Sequence, residues 1–280
     1  MNNTTVSDVS LTRTVTVLNH HGEMQTLQIP TERALTVYVD KKEIVTLMTL
    51  GAYPEWLVLG YLLNQRLIDS AAEIDSITVD WEVGAAAAKT HNGIRNFKKK
   101  TAKRTVTTGC GQGSMFGELM HNISDIQLPP ALITQTQLYA IVNTIRTNDS
   151  IYKTAGSVHG CALFQGENML VFIEDVGRHN AVDTIAGWMA MNDVSGHDKV
   201  FYTTGRLTSE MVIKSAQMGV PIAVSRSGIT QMGLEVAERV QLCAIGRATN
   251  KRFLCFSAPH RVKWQPELAE VHQKPVLHES

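Results

Sequence analysis

Apolar positions along the chain change their spacing near its middle. In the first part, residues 14–18, 27–29 and 35–39 are short β-branched runs broken by His21-Gly22 and Pro30, which is the punctuation of strands and turns. One segment departs from this pattern. Pro54 suits a first helical position, and Trp56, Leu57, Leu59, Tyr61, Leu62 and Leu63 make the following helix apolar nearly all round. A helix with no polar face belongs in a core, and ~10 residues are too few to span a bilayer. After Pro129-Pro130 an amphipathic helix is expected over 135–146. From residue 157 the chain alternates. Residues 158–164 and 169–173 predict paired strands, and 199–203, 221–224, 242–246 and 253–256 predict further ones. Helices are expected from Asn180, with Val182, Ile185 and Met189 as the apolar stripe, over 210–218, closed by Gly219 and Pro221, and over 230–240. Asn180 and Asp183 read as a capping-box-like pair at the first of these starts.

Strand alternating with helix implies a largely parallel sheet covered by helices. The fold class is α/β (α+β overall). A β-rich N-terminal domain is expected over 1–125, an α/β domain over 126–260, and a surface tail with Pro266 and Pro275 over 261–280.

Composition narrows the function classes. The chain has 280 residues, 44% hydrophobic and 19% charged, with a formal net charge of +0, so it is an ordinary globular protein without a global field for nucleic acid or membranes. No run approaches the ~18 apolar residues of a membrane span. Residues 1–13 are polar, with neither a basic start nor an apolar h-region, and a cytoplasmic address is expected. Residues 89–104 form a basic run, with Lys89, Arg95, Lys98, Lys99, Lys100, Lys103 and Arg104 and no acid. It lacks aromatics apart from Phe97, so a solvated or partner-docking loop fits it better than a nucleic-acid site.

The candidate chemistry sits at the strand ends. Arg178, Arg206, Arg226 and Arg247 each fall just after an expected strand, and in a parallel sheet those ends share one crevice. Guanidinium is suited to bidentate phosphate or carboxylate recognition. Helix starts near Asn180, Thr208 and Thr230 add backbone N–H donors, while Gly177, Gly205 and Gly228 allow close backbone approach. Glu174, Asp175 and Asp183 can accept hydrogen bonds from a base or pterin. The plainer reading is that strand-end arginines pair with neighbouring carboxylates, and that Glu210 and Lys214 are an i,i+4 surface ion pair. His159 can reach the crevice or be a satisfied structural histidine. Four arginines in equivalent positions favour an anionic, nucleotide-like ligand.

Four cysteines, Cys110, Cys161, Cys243 and Cys255, include no C-x-x-C pair, which argues against a disulfide framework or a zinc ribbon. Cys110 stands apart from the other three, which lie in apolar strands. It lies in Gly109-Cys110-Gly111-Gln112-Gly113-Ser114, after the basic run and before a possible helix over 115–121. Cations and a helix start lower a thiol's pKa, and glycines let the loop present sulfur to a partner. Such a thiol can accept and release sulfur by exchange-type attack, or it can be incidental.

Together these residues resemble the FdhD family, the sulfur carrier and accessory proteins of formate dehydrogenase. The similarity is densest in Gly156-Ser157-Val158-His159, in Glu174-Asp175-Val176-Gly177-Arg178-His179-Asn180-Ala181-Val182-Asp183, and in Thr204-Gly205-Arg206-Leu207-Thr208-Ser209-Glu210. It continues through Lys214, Gly219-Val220-Pro221, Ser225-Arg226-Ser227 and Arg247. The resemblance implies a cytidine-deaminase-like three-layer α/β domain beside the β-rich one, usually in a homodimer. It implies sulfur taken from a cysteine desulfurase on Cys110 and passed to the molybdenum cofactor, bis-molybdopterin guanine dinucleotide, before insertion into formate dehydrogenase. Guanine nucleotide would then be a partial mimic of the ligand. The cofactor-binding residues it implies are His159, Glu174, Asp175, Gly177, Arg178, His179, Asn180, Asp183, Gly205, Arg206, Ser209, Glu210, Lys214, Ser225, Arg226, Ser227 and Arg247. No bound metal, nucleic acid or membrane is expected.

The chain also departs from that pattern. The family loop commonly reads C-G-x-C-G, and Gly113 stands here where the second Cys would be. Thr154-Ala155-Gly156 replaces T-G-G. A single thiol still suffices to carry sulfur; the alternative is a cofactor-binding chaperone that has lost transfer. A zinc deaminase would need H-x-E with P-C-x-x-C. His21-Gly22-Glu23 supplies only the first half, in the β-rich part of the chain.

Overall fold

The computed structural model describes residues 2–6, 9–94, 105–106, 113–114, 123 and 126–270. Its first half holds β1 (Asn2–Val6), β2 (Thr12–Leu18), β3 (Met24–Pro30), β4 (Arg33–Val39), β5 (Lys42–Thr49), α1 (Pro54–Asn64), β6 (Ile74–Asp80) and β7 (Ala85–Thr90). Every second residue of β4 (Leu35, Val37 and Val39) is buried, as are Ile77 and Val79 of β6 and Ala86 and Ala88 of β7. This period of two builds one inward face of a five-stranded sheet, ordered β1-β6-β7-β4-β5. The β2–β3 pair is a separate antiparallel hairpin, and His21-Gly22-Glu23 lies at its exposed turn.

As its sequence requires, α1 is a core helix with Pro54 in its first turn. Leu57, Val58, Leu59 and Leu62 are at most 1% exposed. The α1 helix also crosses α4 (Arg178–Met191) of the second half at backbone contact. A Cβ on Gly60 would lie 1.7 Å from the Asp183 carbonyl oxygen, and one on Gly187 would lie 1.9 Å from that of Trp56. The two glycines are what allow the halves to lock together.

Between these helices in sequence come α2 (Gln135–Thr147), α3 (Ile151–Ala155), β8 (His159–Gln165) and β9 (Asn168–Asp175). After α4 follow β10 (Lys199–Thr203), α5 (Ser209–Gln217), β11 (Ile222–Ser225), α6 (Gln231–Arg239), β12 (Cys243–Thr249) and β13 (Arg252–Cys255). The sheet is ordered β9-β8-β10-β11-β12-β13. Cys161, Leu163, Phe201, Ala223 and Ala244 face a core shared with α4, α5 and α6. Ala162, Phe164, Tyr202, Val224 and Ile245 face the opposite core, against α2. Helices therefore cover both faces of the sheet.

Four expectations need correction. The sheet is mixed: β10-β11-β12 is parallel, but the hairpins β8–β9 and β12–β13 make the outer pairs antiparallel, as is β8–β10. The α4 helix begins at Arg178 with Gly177 as N-cap and no side-chain cap. Asn180 and Asp183 form no capping box, because each is committed to a partner from the first half. Arg247 lies inside β12, at a bulge with φ 52°, and its N–H donates to the Ser227 carbonyl at 2.5 Å. The stretch expected to begin a tail at residue 261 starts fixed in place. Arg261 is 5% exposed and donates to the carbonyls of Gln241 and Pro129, and Val262 pairs with Ile133 in a short parallel bridge.

Candidate functional site

Strand direction decides what can meet. Since β8 runs antiparallel to both β9 and β10, and β10 parallel to β11, the ends of β9, β10 and β11 lie at the edge where β8 begins. His159 sits opposite Asp175, Cys161 opposite Thr203, and Thr203 opposite Ser225. The loops that leave this edge carry Gly177-Arg178, Thr204-Gly205-Arg206 and Arg226-Ser227. Short bonds brace them. Thr204 Oγ1 accepts from the Gly160 N–H at 3.0 Å, Ser225 Oγ donates to the Gly205 carbonyl at 2.7 Å, and the Arg226 N–H donates to Thr203 O at 3.0 Å. A Cβ on Gly205 would lie 3.1 Å from Arg178 Cδ, so this glycine makes room for the Arg178 stem.

His159 is the centre of the cluster. Burial first, then the Arg178 and Arg206 charges, lower its pKa, so a neutral imidazole stands among guanidiniums. Arg226 shares a cavity with it, walled also by Tyr152, Thr204 and Ser227. A second cavity adjoins across Tyr152, Thr204 and Arg226, and brings in Phe172, Tyr202 and Arg146. Burial pushes Tyr202 up to about 12, which leaves its phenol a protonated donor at neutral pH. Arg206 and Arg226 are exposed, whereas Arg178 is buried, with 6% of the residue exposed. Permanent positive charge, neutral donors and aromatic walls together suit a ligand with anionic groups and a planar ring.

Beneath this rim the same loops turn inward. Asp175 is 2% exposed and accepts from Thr49 Oγ1 (2.5 Å), Leu50 N (3.1 Å), Gly177 N (2.9 Å) and Asn180 Nδ2 (2.9 Å). Asn180 also donates to the Met48 carbonyl at 2.7 Å. Asp183 accepts from Asn64 Nδ2 at 2.7 Å and Lys214 Nζ at 2.8 Å. Lys214 is 3.6 Å from Glu210 Oε1, and Glu210 Oε2 is 3.4 Å from His179 Nε2. Burial, then the Lys214 charge, push His179 down to about 3, so that contact involves a neutral ring. Burial raises both Asp175 and Asp183 despite their donors. The i,i+4 pair Glu210–Lys214, read from sequence as a surface alternative, is thus an interior pair. Glu174 is half-buried, and its carboxylate accepts from Ile151 N (2.6 Å) and Tyr152 N (3.0 Å), which fixes a cavity wall.

Both layers draw on residues 174–183 and 204–214 together with distant partners. The FdhD/NarQ family model matches residues 30–263. The chain belongs to the FdhD/NarQ family. It is 29% identical over 238 residues to the sulfur carrier protein FdhD of Bacillus subtilis, covering 83% of this chain and 89% of that one. The protein of the same name from Listeria monocytogenes is 28% identical over 238 residues, covering 84% and 91%. Among solved structures, a protein from Desulfotalea psychrophila described as a formate dehydrogenase accessory protein superposes with a TM-score of 0.73 at 24% identity. It covers 91% of this chain and 100% of that one, and it shows the shared fold.

The FdhD/NarQ match includes both layers and leaves out β1, β2 and nearly all of β3. Of the residues named from sequence, His159, Gly177, Arg178, Gly205, Arg206, Arg226 and Ser227 come together at the rim. Ser225 is buried as a brace, Ser209 is a buried first residue of α5, and Arg247 is exposed within β12. Asp175, His179, Asn180, Asp183, Glu210 and Lys214 form the inner layer. Cys110, residues 95–104 and the possible helix over 115–121 lie outside the described residues. Among the described residues no three His, Cys, Asp or Glu side chains gather as a metal site, and no helix is long and apolar enough to cross a membrane.

Sequence reasoning missed Thr49, Asn64 and Tyr152. Asn64 had a legible signal, a lone amide closing an apolar helix. Thr49 and Tyr152 had none.

Proposed function

We propose that this chain is a cytoplasmic sulfur carrier for formate dehydrogenase and that the arginine rim holds the cargo. The observation that carries this reading is the gathering of Arg178, Arg206 and Arg226 about His159 at one sheet edge, with aromatic walls beside them. Guanidiniums match the pyrophosphate of bis-molybdopterin guanine dinucleotide, and Phe172, Tyr202 and Tyr152 match its planar rings. Curated relatives named sulfur carrier protein support the transfer half of the reading.

In this scheme Cys110, as thiolate, attacks the outer sulfur of a persulfide on a cysteine desulfurase. The donor S–S bond breaks, the donor thiolate leaves, and the sulfane sulfur rests on Cys110. The loaded thiol then meets the cofactor at the rim, where the cofactor is the substrate. The functional unit is a homodimer that then engages formate dehydrogenase.

The test loads purified protein with sulfur from labelled cysteine by means of a desulfurase. Label should sit on Cys110 as persulfide, and Cys110→Ala should lose it. Equal labelling of both proteins would eliminate Cys110 as carrier. An unlabelled protein that still binds guanine nucleotide through Arg178 would instead be a cofactor chaperone. That outcome would fit the single-thiol loop, in which Gly113 replaces a second cysteine.

A further inference from the structure

At the far end of the second sheet from the arginine rim lie two thiols that sulfur carriage does not use. Cys243 opens β12 and Cys255 closes its antiparallel neighbour β13. Cys255 is registered opposite Ile245, which makes Cys243 its diagonal neighbour, and both sulfurs join the core on the α2 side. Their Sγ atoms are 4.0 Å apart and unbonded. Cys243 is fully buried, but Cys255 is only half-buried, so a solute meets one thiol and not the other. The hydrogen bond between them holds the Cys255 pKa below the ordinary thiol range and, together with burial, pushes Cys243 up. Nucleophile outside and protonated thiol inside is the arrangement of an attacking and a resolving pair. Cys161 is a built-in contrast: it is buried, raised to about 12 by that burial, and hydrogen-bonded to Thr203 at 3.4 Å.

We propose that Cys255 and Cys243 are a redox modification site that hydrogen peroxide closes to an intramolecular disulfide. The Cys255 thiolate attacks one peroxide oxygen, the O–O bond breaks, and the leaving hydroxide takes a proton to become water. Cys255 is then a sulfenic acid. Cys243 loses its proton as its sulfur attacks the Cys255 sulfur, the S–O bond breaks, and a second water leaves. Two thiols give up two electrons and the peroxide accepts them. The sulfurs must close from 4.0 Å to about 2.0 Å. Phe256 N–H donates to the Ala244 carbonyl at 2.8 Å and Ser257 Oγ to the Leu242 carbonyl at 2.7 Å, so the backbone after Cys255 is held. The movement falls on the two cysteine side chains, at the cost of the 3.4 Å contact of Cys255 with the Ser257 carbonyl. The bond would staple the edge strand β13 to β12.

The experiment titrates the full chain with hydrogen peroxide, alkylates the remaining thiols and digests with trypsin. Cleavage after Arg239, Arg247, Arg252 and Arg261 puts Cys243 in peptide 240–247 and Cys255 in peptide 253–261. The two peptides should appear linked, lighter by two hydrogens than their sum. Before oxidation Cys255 should alkylate roughly tenfold or more faster than Cys161. In Cys243→Ser the link disappears and Cys255 sulfenic acid is trapped by dimedone. Alkylation of Cys255 no faster than Cys161, or a link from Cys255 to Cys110 in place of Cys243, would overturn the proposal.

Discussion

Arg206 and Arg226 stand in solvent at the strand ends, whereas Lys214, in the second turn of α5, is 1% exposed and held between Asp183 and Glu210. The two regions lie on adjoining elements and treat charge in opposite ways. At the rim, water keeps guanidinium charge at little cost, and it stays available to an incoming anion. In the layer beneath, a cation survives only because two carboxylates neutralise it, one of which, Asp183, also accepts from the Asn64 amide of α1. The difference separates binding from scaffolding: the inner layer could contact a ligand only by giving up partners that hold the two halves together.

The contrast can be broken most severely at Lys214. Lys214→Met leaves Asp183 and Glu210 buried without their cation, and should lower unfolding free energy by about 3–5 kcal/mol. Urea denaturation reads this directly, and a loss under 1 kcal/mol would mean that the pair is not interior. At the rim the effect should appear in binding. Arg206→Ala should weaken guanine nucleotide binding by about 1.5–3 kcal/mol while unfolding stays within about 0.5 kcal/mol of the parent. Calorimetric titration beside the same urea curves separates the two. Unchanged affinity would move the ligand away from this edge.

Gly60→Ala probes the junction that sets the layers. Its Cβ would collide with the Asp183 backbone, which cannot rotate away as a side chain can. A loss of about 1–3 kcal/mol is expected, with α1 and α4 forced apart. Parent-like stability would show that the crossing is looser than described.

The gentlest probe is pH. His179 is neutral in the fold, with its pKa pushed to about 3, while an unfolded histidine titrates near ~6.5. Below ~6.5 the unfolded chain takes a proton that the folded chain refuses. This contribution is therefore intact above that pH and falls by about 1.4 kcal/mol per unit as pH drops, until the folded ring titrates near 3. Asp175 and Asp183 are raised and act in the other direction, since the folded carboxyls protonate first and regain part of the loss at lower pH. Stability measured from pH 7 to 5 should slope less in His179→Gln. An equal slope would assign the titration to another group.

Much of the scaffold was legible in the residues because local rules govern it. β-branched runs and the breaks between them marked the strands, Pro54 opened α1, and Gly219 with Pro221 closed α5. Asn180 and Asp183 misled for a physical reason. An Asn followed three residues later by an Asp has the spacing of a helix cap, but that geometry is chosen only if no distant group offers a better partner. Here Met48 and Asn64 do. Arg247 misled in a similar way, because a bulge set by strand pairing keeps the chain in β12 beyond where the apolar run ends.

The sequence by itself settled the alternation of elements, the arginines placed near strand ends and the motif that marks the family. It could not settle which side chains of Glu174–Asp183 turn toward ligand and which turn inward. That choice belongs to contacts across 119 to 126 positions, from Asn64 to Asp183 and from Thr49 to Asp175. A buried charge is stable only where its partner has already been carried to it, and only the docking of α1 and β5 against α4 carries it there.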